Sequence, residues 1–205
     1  MVGSGSASSD RTVSPGVPSR AVNTPVKPIA LIVSRYNPSV TDRLLQAARD
    51  VVRDRGFSED RIAVIDAPGA FELTALANAA ARTGKYAGIV VLGCLIHGET
   101  QHDRYIADAV AQGITRITIQ TGVPIAFGLV TAETPAQAEA RSGGVKGNKG
   151  AEAAAALCDA LMSISAINRA IERGEPGKVE RVIGRTLTDK AGLGNRDADP
   201  DSQAE

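Results

Sequence analysis

The sequence predicts an α/β protein, a three-layer α/β/α sandwich on a mostly parallel central sheet. Two observations predict it. Short apolar runs rich in β-branched residues alternate with segments of helical periodicity, and most of these runs are unbroken, as strands covered on both faces are. The 205 residues, 43% of them hydrophobic, suffice for one domain with a sizeable core.

The first run is Ile29–Ser34. A helix follows, signalled by Asn37 as its cap, Pro38 at the first helical position and a stripe of Val40, Leu44, Ala48 and Val51, closing at Gly56. A second run, Ile62–Ile65, precedes a helix over Glu72–Arg82 closed by Gly84. The longest run, Gly88–Ile96, leads into a helix over His102–Gln112 closed by Gly113. Ile114–Gln120 and Ile125–Val130 read as the fourth and fifth strands. Thr134-Pro135-Ala136-Gln137 combines a capping box with proline at the first helical position, so a helix starts there and reaches about Arg141. The last helix begins near Asn148 and continues through an alanine-rich stretch to about Glu172.

The flanks differ in composition. Residues 1–27, rich in Ser, Gly, Pro and Thr, read as a flexible arm, and residues 172–205 as a flexible tail with one apolar patch, Val179–Ile183; residues 28–171 form the domain between them. The first 28 residues lack the apolar block of a secretory signal, and the longest apolar stretch is the nine residues of Gly88–Ile96. No membrane partner and a cytoplasmic location are expected. Twenty-three Lys plus Arg balance 23 Asp plus Glu, which gives no reason to expect a nucleic-acid partner. Cys94 and Cys158 are far apart, and His97 and His102 are the only histidines, so neither a metal site nor a disulfide is expected.

In a parallel α/β sheet, ligand sites form at the carboxyl ends of the strands. Tyr36 and Phe71 follow the first and second strands, and Phe127 falls within the fifth, in a chain with three tyrosines, three phenylalanines and no tryptophan. Position alone fits these rings equally as core or rim residues and as a slot for a flat heterocycle. After the third strand, Ile96-His97-Gly98-Glu99-Thr100-Gln101-His102 turns into a helix, whose open N–H groups and positive dipole end suit a phosphate. A second basic, glycine-rich connector, Arg141–Gly150, suits either a solvated loop or an anion clamp and lacks the spacing of a P-loop. Beside a helix start, His102 serves as a surface cap or, with a substrate in reach, as a proton-transfer group. Gly3-Ser4-Gly5 and Gly192-Leu193-Gly194 lack the context of a dinucleotide fingerprint.

Five motifs in order carry a resemblance over about Ile29 to Ile167: Ser34-Arg35-Tyr36-Asn37, Pro68-Gly69-Ala70-Phe71-Glu72-Leu73, Gly93-Cys94-Leu95-Ile96-His97-Gly98-Glu99-Thr100-Gln101-His102, Phe127-Gly128-Leu129-Val130-Thr131 and Gly147-Asn148-Lys149-Gly150. Together they resemble the lumazine synthase family. The resemblance implies a flavodoxin-like form of the sandwich and a cofactor-free enzyme of riboflavin biosynthesis. Such enzymes condense 5-amino-6-(D-ribitylamino)uracil with 3,4-dihydroxy-2-butanone 4-phosphate, eliminating phosphate and water. It further implies that Tyr36 stacks on the pyrimidine with Asn37 nearby, and that Ala70, Phe71 and Glu72 hold the ring and the ribityl chain. Cys94, Leu95 and Ile96 offer backbone groups to the pyrimidine edge. Glu99 and Thr100 bind phosphate together with Arg141, whose guanidinium fits that geometry. His102 matches a proton-transfer histidine and Lys149 a lysine near the reacting chain, while Phe127, Arg141 and Lys149 reach the site from a neighbouring subunit.

The same resemblance implies small-molecule substrates, a homo-oligomer built on pentamers, and riboflavin synthase as a further partner. Two signals on assembly oppose each other. The short link Ser142–Asn148 resembles members that form a sixty-subunit shell, whereas Pro25 and Pro28 remove backbone donors where the arm would extend an intersubunit sheet. Two positions depart from the family pattern. Asp103 and Arg104 stand where an aromatic and an acid commonly follow the histidine, and His97 stands where Arg or Lys is usual. His97 is therefore read as peripheral to catalysis. A non-catalytic, ligand-binding or cage-forming scaffold is the competing reading, and Arg141 and His102 speak against it. A flavodoxin-like electron carrier is disfavoured by the lack of a Ser/Thr-rich loop after the first strand.

Overall fold

A computed structural model describes residues 27–179. The arm expected over 1–27 and the tail expected over 172–205 lie outside these residues, apart from residue 27 and residues 172–179. Four parallel strands, β1 (Ile29–Ser34), β2 (Ile62–Ala67), β3 (Gly88–Ile96) and β4 (Ile125–Ala132), form one sheet in the order β2-β1-β3-β4. β1 is buried throughout and β3 nearly so, whereas the edge strand β2 is partly exposed. Central strands thus carry the unbroken apolar runs, because both of their faces are covered.

Helices cover the two faces. Ile29, Leu31 and Val33 point with Val90 and Leu92 towards α1 (Pro38–Asp54), through Val40, Leu44, Ala48 and Val52, and towards α5 (Lys149–Glu172), through Ala153, Ala154 and Leu157. The alternate residues Ala30, Ile32, Ile89 and Val91 meet Leu73 and Ala77 of α2 (Leu73–Arg82) and Val110, Ile114 and Ile117 of α3 (His102–Thr121). Period-two burial in the strands therefore defines both layers. At the α1–α5 crossing the backbones touch, and a Cβ on Gly150 would stand 2.1 Å from the Leu44 carbonyl oxygen. Only glycine fits there.

The expected fourth strand, Ile114–Gln120, is instead the second half of α3, and Gly113 does not close that helix. Val110, Ile114 and Ile117 recur at helical spacing on the face that meets α2, and this tertiary burial overrides the strand preference of the β-branched residues. Thr115 and Thr121 hydroxyls donate to the carbonyls of Ala111 and Ile117 at 2.8 and 2.7 Å, which gives each hydroxyl a partner within the helix. Gly113 serves packing: a Cβ there would lie 2.5 Å from Thr74 Cγ2 of α2. Gly122, at φ 70°, is the glycine that ends the helix.

Other boundaries follow their sequence signals. Thr134 caps α4 (Pro135–Ala140) by accepting from the Gln137 amide at 3.3 Å, while the Gln137 side chain accepts from the Glu133 amide at 2.8 Å. Asn148 accepts from the Gly150 and Ala151 amides at 2.9 and 3.2 Å to start α5. The connector before it is a small antiparallel hairpin, β5 (Ser142–Gly144) and β6 (Gly147–Asn148), rather than a flexible loop. By length and composition α5 could cross a membrane, a feature that counting unbroken apolar runs did not register. Its first half buries Ala153, Ala154 and Leu157 against the sheet, which is the placement of a core helix.

Candidate active site

At the carboxyl ends of β1, β2 and β3 a crevice of about 570 Å³ opens. The turn after β1 contributes Tyr36 and Asn37, the turn after β2 contributes Gly69, Ala70, Phe71 and Glu72, and β3 contributes Cys94, Leu95 and Ile96. Gly98, Thr100, His102, Asp103 and Ile106 complete the wall from the turn and first turns of α3. Tyr36 and Phe71 are 70% and 60% exposed, so two ring faces stand open to a ligand. Their exposure decides against the reading of these two as core aromatics.

The floor is held by hydrogen bonds between strand ends. Asn37 adopts φ 57° and ψ 56°, a left-handed conformation that asparagine tolerates better than most residues. It occupies the expected cap position of α1 but does not cap with its side chain. Its backbone carbonyl accepts from Val40 and Thr41, which frees the side-chain amide to donate to the Cys94 carbonyl at 3.1 Å. The tips of β1 and β3 are thereby tied together. The Arg35 amide donates to the Ala67 carbonyl at 2.8 Å and ties β1 to β2 in the same way.

Two helices begin at the crevice, and neither α2 nor α3 has a side-chain cap. Their first-turn N–H groups lack intrahelical partners and point their positive ends at the opening. Such an end accepts an anion readily, and Thr100 adds a hydroxyl. The Cys94 thiol is pushed up to about 11 by burial, so near neutrality it remains a protonated, apolar piece of the wall. It is not a nucleophile.

Of the fourteen site residues expected from sequence, ten line this crevice: Tyr36, Asn37, Ala70, Phe71, Glu72, Cys94, Leu95, Ile96, Thr100 and His102. Glu99 lies in the adjoining turn and does not line it. Phe127, Arg141 and Lys149 stand elsewhere on the chain. Phe127 is on the edge strand β4, opposite Val91 and 37% exposed. Arg141 and Lys149 flank the β5–β6 hairpin, and the Lys149 amide donates to the Arg141 carbonyl at 2.9 Å. The Lys149 ammonium pairs with Glu152 at 3.0 Å, whereas the exposed Arg141 has no ion pair among the described residues.

Asp103 was missed as a lining residue. It borders the crevice and meets His97, with Oδ1 3.2 Å from His97 Nδ1. Its place in the first turn of the helix that starts at His102 was the available signal. Among the described residues no cluster of His, Cys, Asp and Glu could hold a metal ion.

Residues 27–164 match the family model described as 6,7-dimethyl-8-ribityllumazine synthase. Two proteins of Xanthomonas oryzae pv. oryzae, from strains PXO99A and MAFF 311018, carry that same name. Each is 43% identical to this chain over 135 residues, which covers 66% of this chain and 88% of the relative.

Proposed function

Because the chain belongs to the 6,7-dimethyl-8-ribityllumazine synthase family, we propose that its crevice condenses 5-amino-6-(D-ribitylamino)uracil with 3,4-dihydroxy-2-butanone 4-phosphate. The enzyme is a transferase of riboflavin biosynthesis acting on small molecules. The single observation that carries the site assignment is the convergence of Tyr36, Phe71, Thr100 and His102 on one open crevice.

Each role has a physical basis. The pyrimidine stacks on the exposed Tyr36 ring, with Asn37 beside it and the backbone of Cys94, Leu95 and Ile96 along its polar edge. Ala70, Phe71 and Glu72 hold the ring and the ribityl chain. The phosphate sits at the open start of α3 with Thr100 and, from the turn, Glu99. The primary amine attacks the ketone and a first water leaves as the imine forms; phosphate is then eliminated, the resulting enol becomes a carbonyl, and the second nitrogen attacks that carbon and closes the ring with loss of a second water. His102 moves the protons these steps require, and no cofactor takes part. Holding the two reactants side by side is worth up to roughly 7–11 kcal/mol of the barrier.

Phe127, Arg141 and Lys149 complete a neighbour's crevice rather than their own. Their absence from the crevice lining and the exposure of Arg141 support this assignment. The assembly is a homo-oligomer with the pentamer as its unit, and the sixty-subunit shell is the larger form of the same contacts. Residues 28–171 are the catalytic domain, acting in the cytoplasm. Riboflavin synthase, which consumes the product, is the proposed partner.

The test is to mix both substrates with the purified chain and follow absorbance at the lumazine band. Product accumulation at a rate proportional to protein supports the reading. Binding of the pyrimidine without product would reduce the crevice to a ligand-binding scaffold.

A further inference from the structure

His97 and Asp103 stand on the turn after β3 and in the first turn of α3, and the turn folds their side chains to 3.2 Å. Asp103 is in the crevice wall with Thr100 and His102, and its side chain is 19% exposed against 44% for His97. Asp103 thus borders the site, and the imidazole, outside the lining, meets its carboxylate. His97 is itself anchored, its amide donating to the Ala132 carbonyl at the end of β4 at 2.8 Å. The other charged or titratable groups on the surrounding elements are Tyr36 after β1, Glu72 before α2, Cys94 on β3, Glu133 beyond β4, Glu99 on the turn, and His102, Arg104, Tyr105, Asp108 and Arg116 on α3.

An anion at the start of α3 meets opposed influences. The helix dipole and open N–H groups attract it, whereas a carboxylate in the first turn repels it. His97 sets the balance. Protonated, the imidazole cancels the Asp103 charge; neutral, it leaves that charge facing the crevice. We propose that His97 and Asp103 form a charge-compensating pair that tunes affinity for the phosphorylated substrate with pH, Asp103 as a specificity-determining group and His97 as the positioning residue that holds it. The inference rests on the phosphate site proposed above. Affinity is highest with the pair neutral overall and falls when the imidazole gives up its proton.

The experiment measures KM for each substrate at a series of values from about pH 5 to about pH 8, the interval in which imidazole side chains in general change charge. His97→Gln is expected to remove the protein's part of the pH dependence and hold KM for the phosphorylated substrate at the level the unaltered enzyme reaches only at the alkaline end. Asp103→Asn is expected to lower that KM about two- to fivefold across the range, the effect of one partly exposed charge. The substrate's own second ionisation is common to all variants and cancels in the comparison, and KM for the pyrimidine should not follow the pattern. A wild-type pH profile in His97→Gln, or an unchanged or raised KM in Asp103→Asn, overturns the inference. Thr100→Val and Arg141→Ala separate the two levels. If they raise KM for the phosphorylated substrate while the pair variants do nothing, only this inference fails; if they too do nothing, the phosphate site fails and the inference with it.

Discussion

Cys94 shows how burial fixes chemistry at a single residue. Its thiol would ionise near 9.0 in the unfolded chain but near 11 in place, because the crevice wall cannot hydrate a thiolate. Below the lower value the shift contributes nothing to pH dependence; between the two, the unfolded chain loses its proton first and stability falls as pH rises. Cys94→Ala should lose less stability than the unaltered chain across that window, as read by denaturant midpoints at each pH. For His102, the chemistry is assisted mainly by orientation, so His102→Ala should slow turnover by about 10²-fold without abolishing it. Unchanged turnover at saturating substrates would remove His102 from the mechanism. The gathering of residues at the strand tips was legible because a parallel sheet opens its crevice at the carboxyl ends of its strands. The role of Asn37 was not, since a left-handed backbone that releases the amide to Cys94 leaves no mark in a composition that equally suits a cap. Asp103 was legible as a departure from the family pattern but not as a partner of His97, which lies six positions away across a turn whose shape the sequence does not state.

Helix α3 carries the lesson at the level of elements. Ile114-Thr115-Arg116-Ile117-Thr118-Ile119 has the residue types of a strand, and Gly113 sits where a stop is expected. The spacing of Val110, Ile114 and Ile117 nevertheless fits a helical stripe, and the close approach to Thr74 explains the glycine. Gly113→Ala therefore sets two effects against each other. Alanine gains about 1 kcal/mol of helix propensity, but the methyl group overpacks the α2–α3 contact at a cost of about 1–3 kcal/mol. Net destabilisation of about 1 kcal/mol is expected in chemical denaturation, and adding Thr74→Ser should recover part of it. A stabilised Gly113→Ala variant would show that the two helices part easily. Capped starts such as Thr134 and Asn148 were readable because their signals are local, whereas the choice between helix and strand at 114–120 depended on what the segment would be packed against.

Across the whole molecule, the layer order and the location of the crevice follow from the alternation of runs and helices, and the family match covers the same span. The proposed assembly rests on Phe127, Arg141 and Lys149, which do not line their own chain's crevice. If Arg141 serves a neighbour, Arg141→Ala and His102→Ala proteins, each impaired alone, should regain activity when co-refolded, because some sites then receive both groups. Mixing without gain would place each site within one chain. Light scattering on the same samples distinguishes a five-fold from a sixty-fold assembly. The position of the β5–β6 hairpin, outside the crevice its own chain opens, has a geometric corollary. If the hairpin serves a neighbour through a surface remote from the crevice that receives, a face-to-face pair cannot satisfy both surfaces at once. The head-to-tail chain such sharing would start has to curve back on itself to leave no giver without a receiver, and damage to one giver would silence the pocket next door rather than its own.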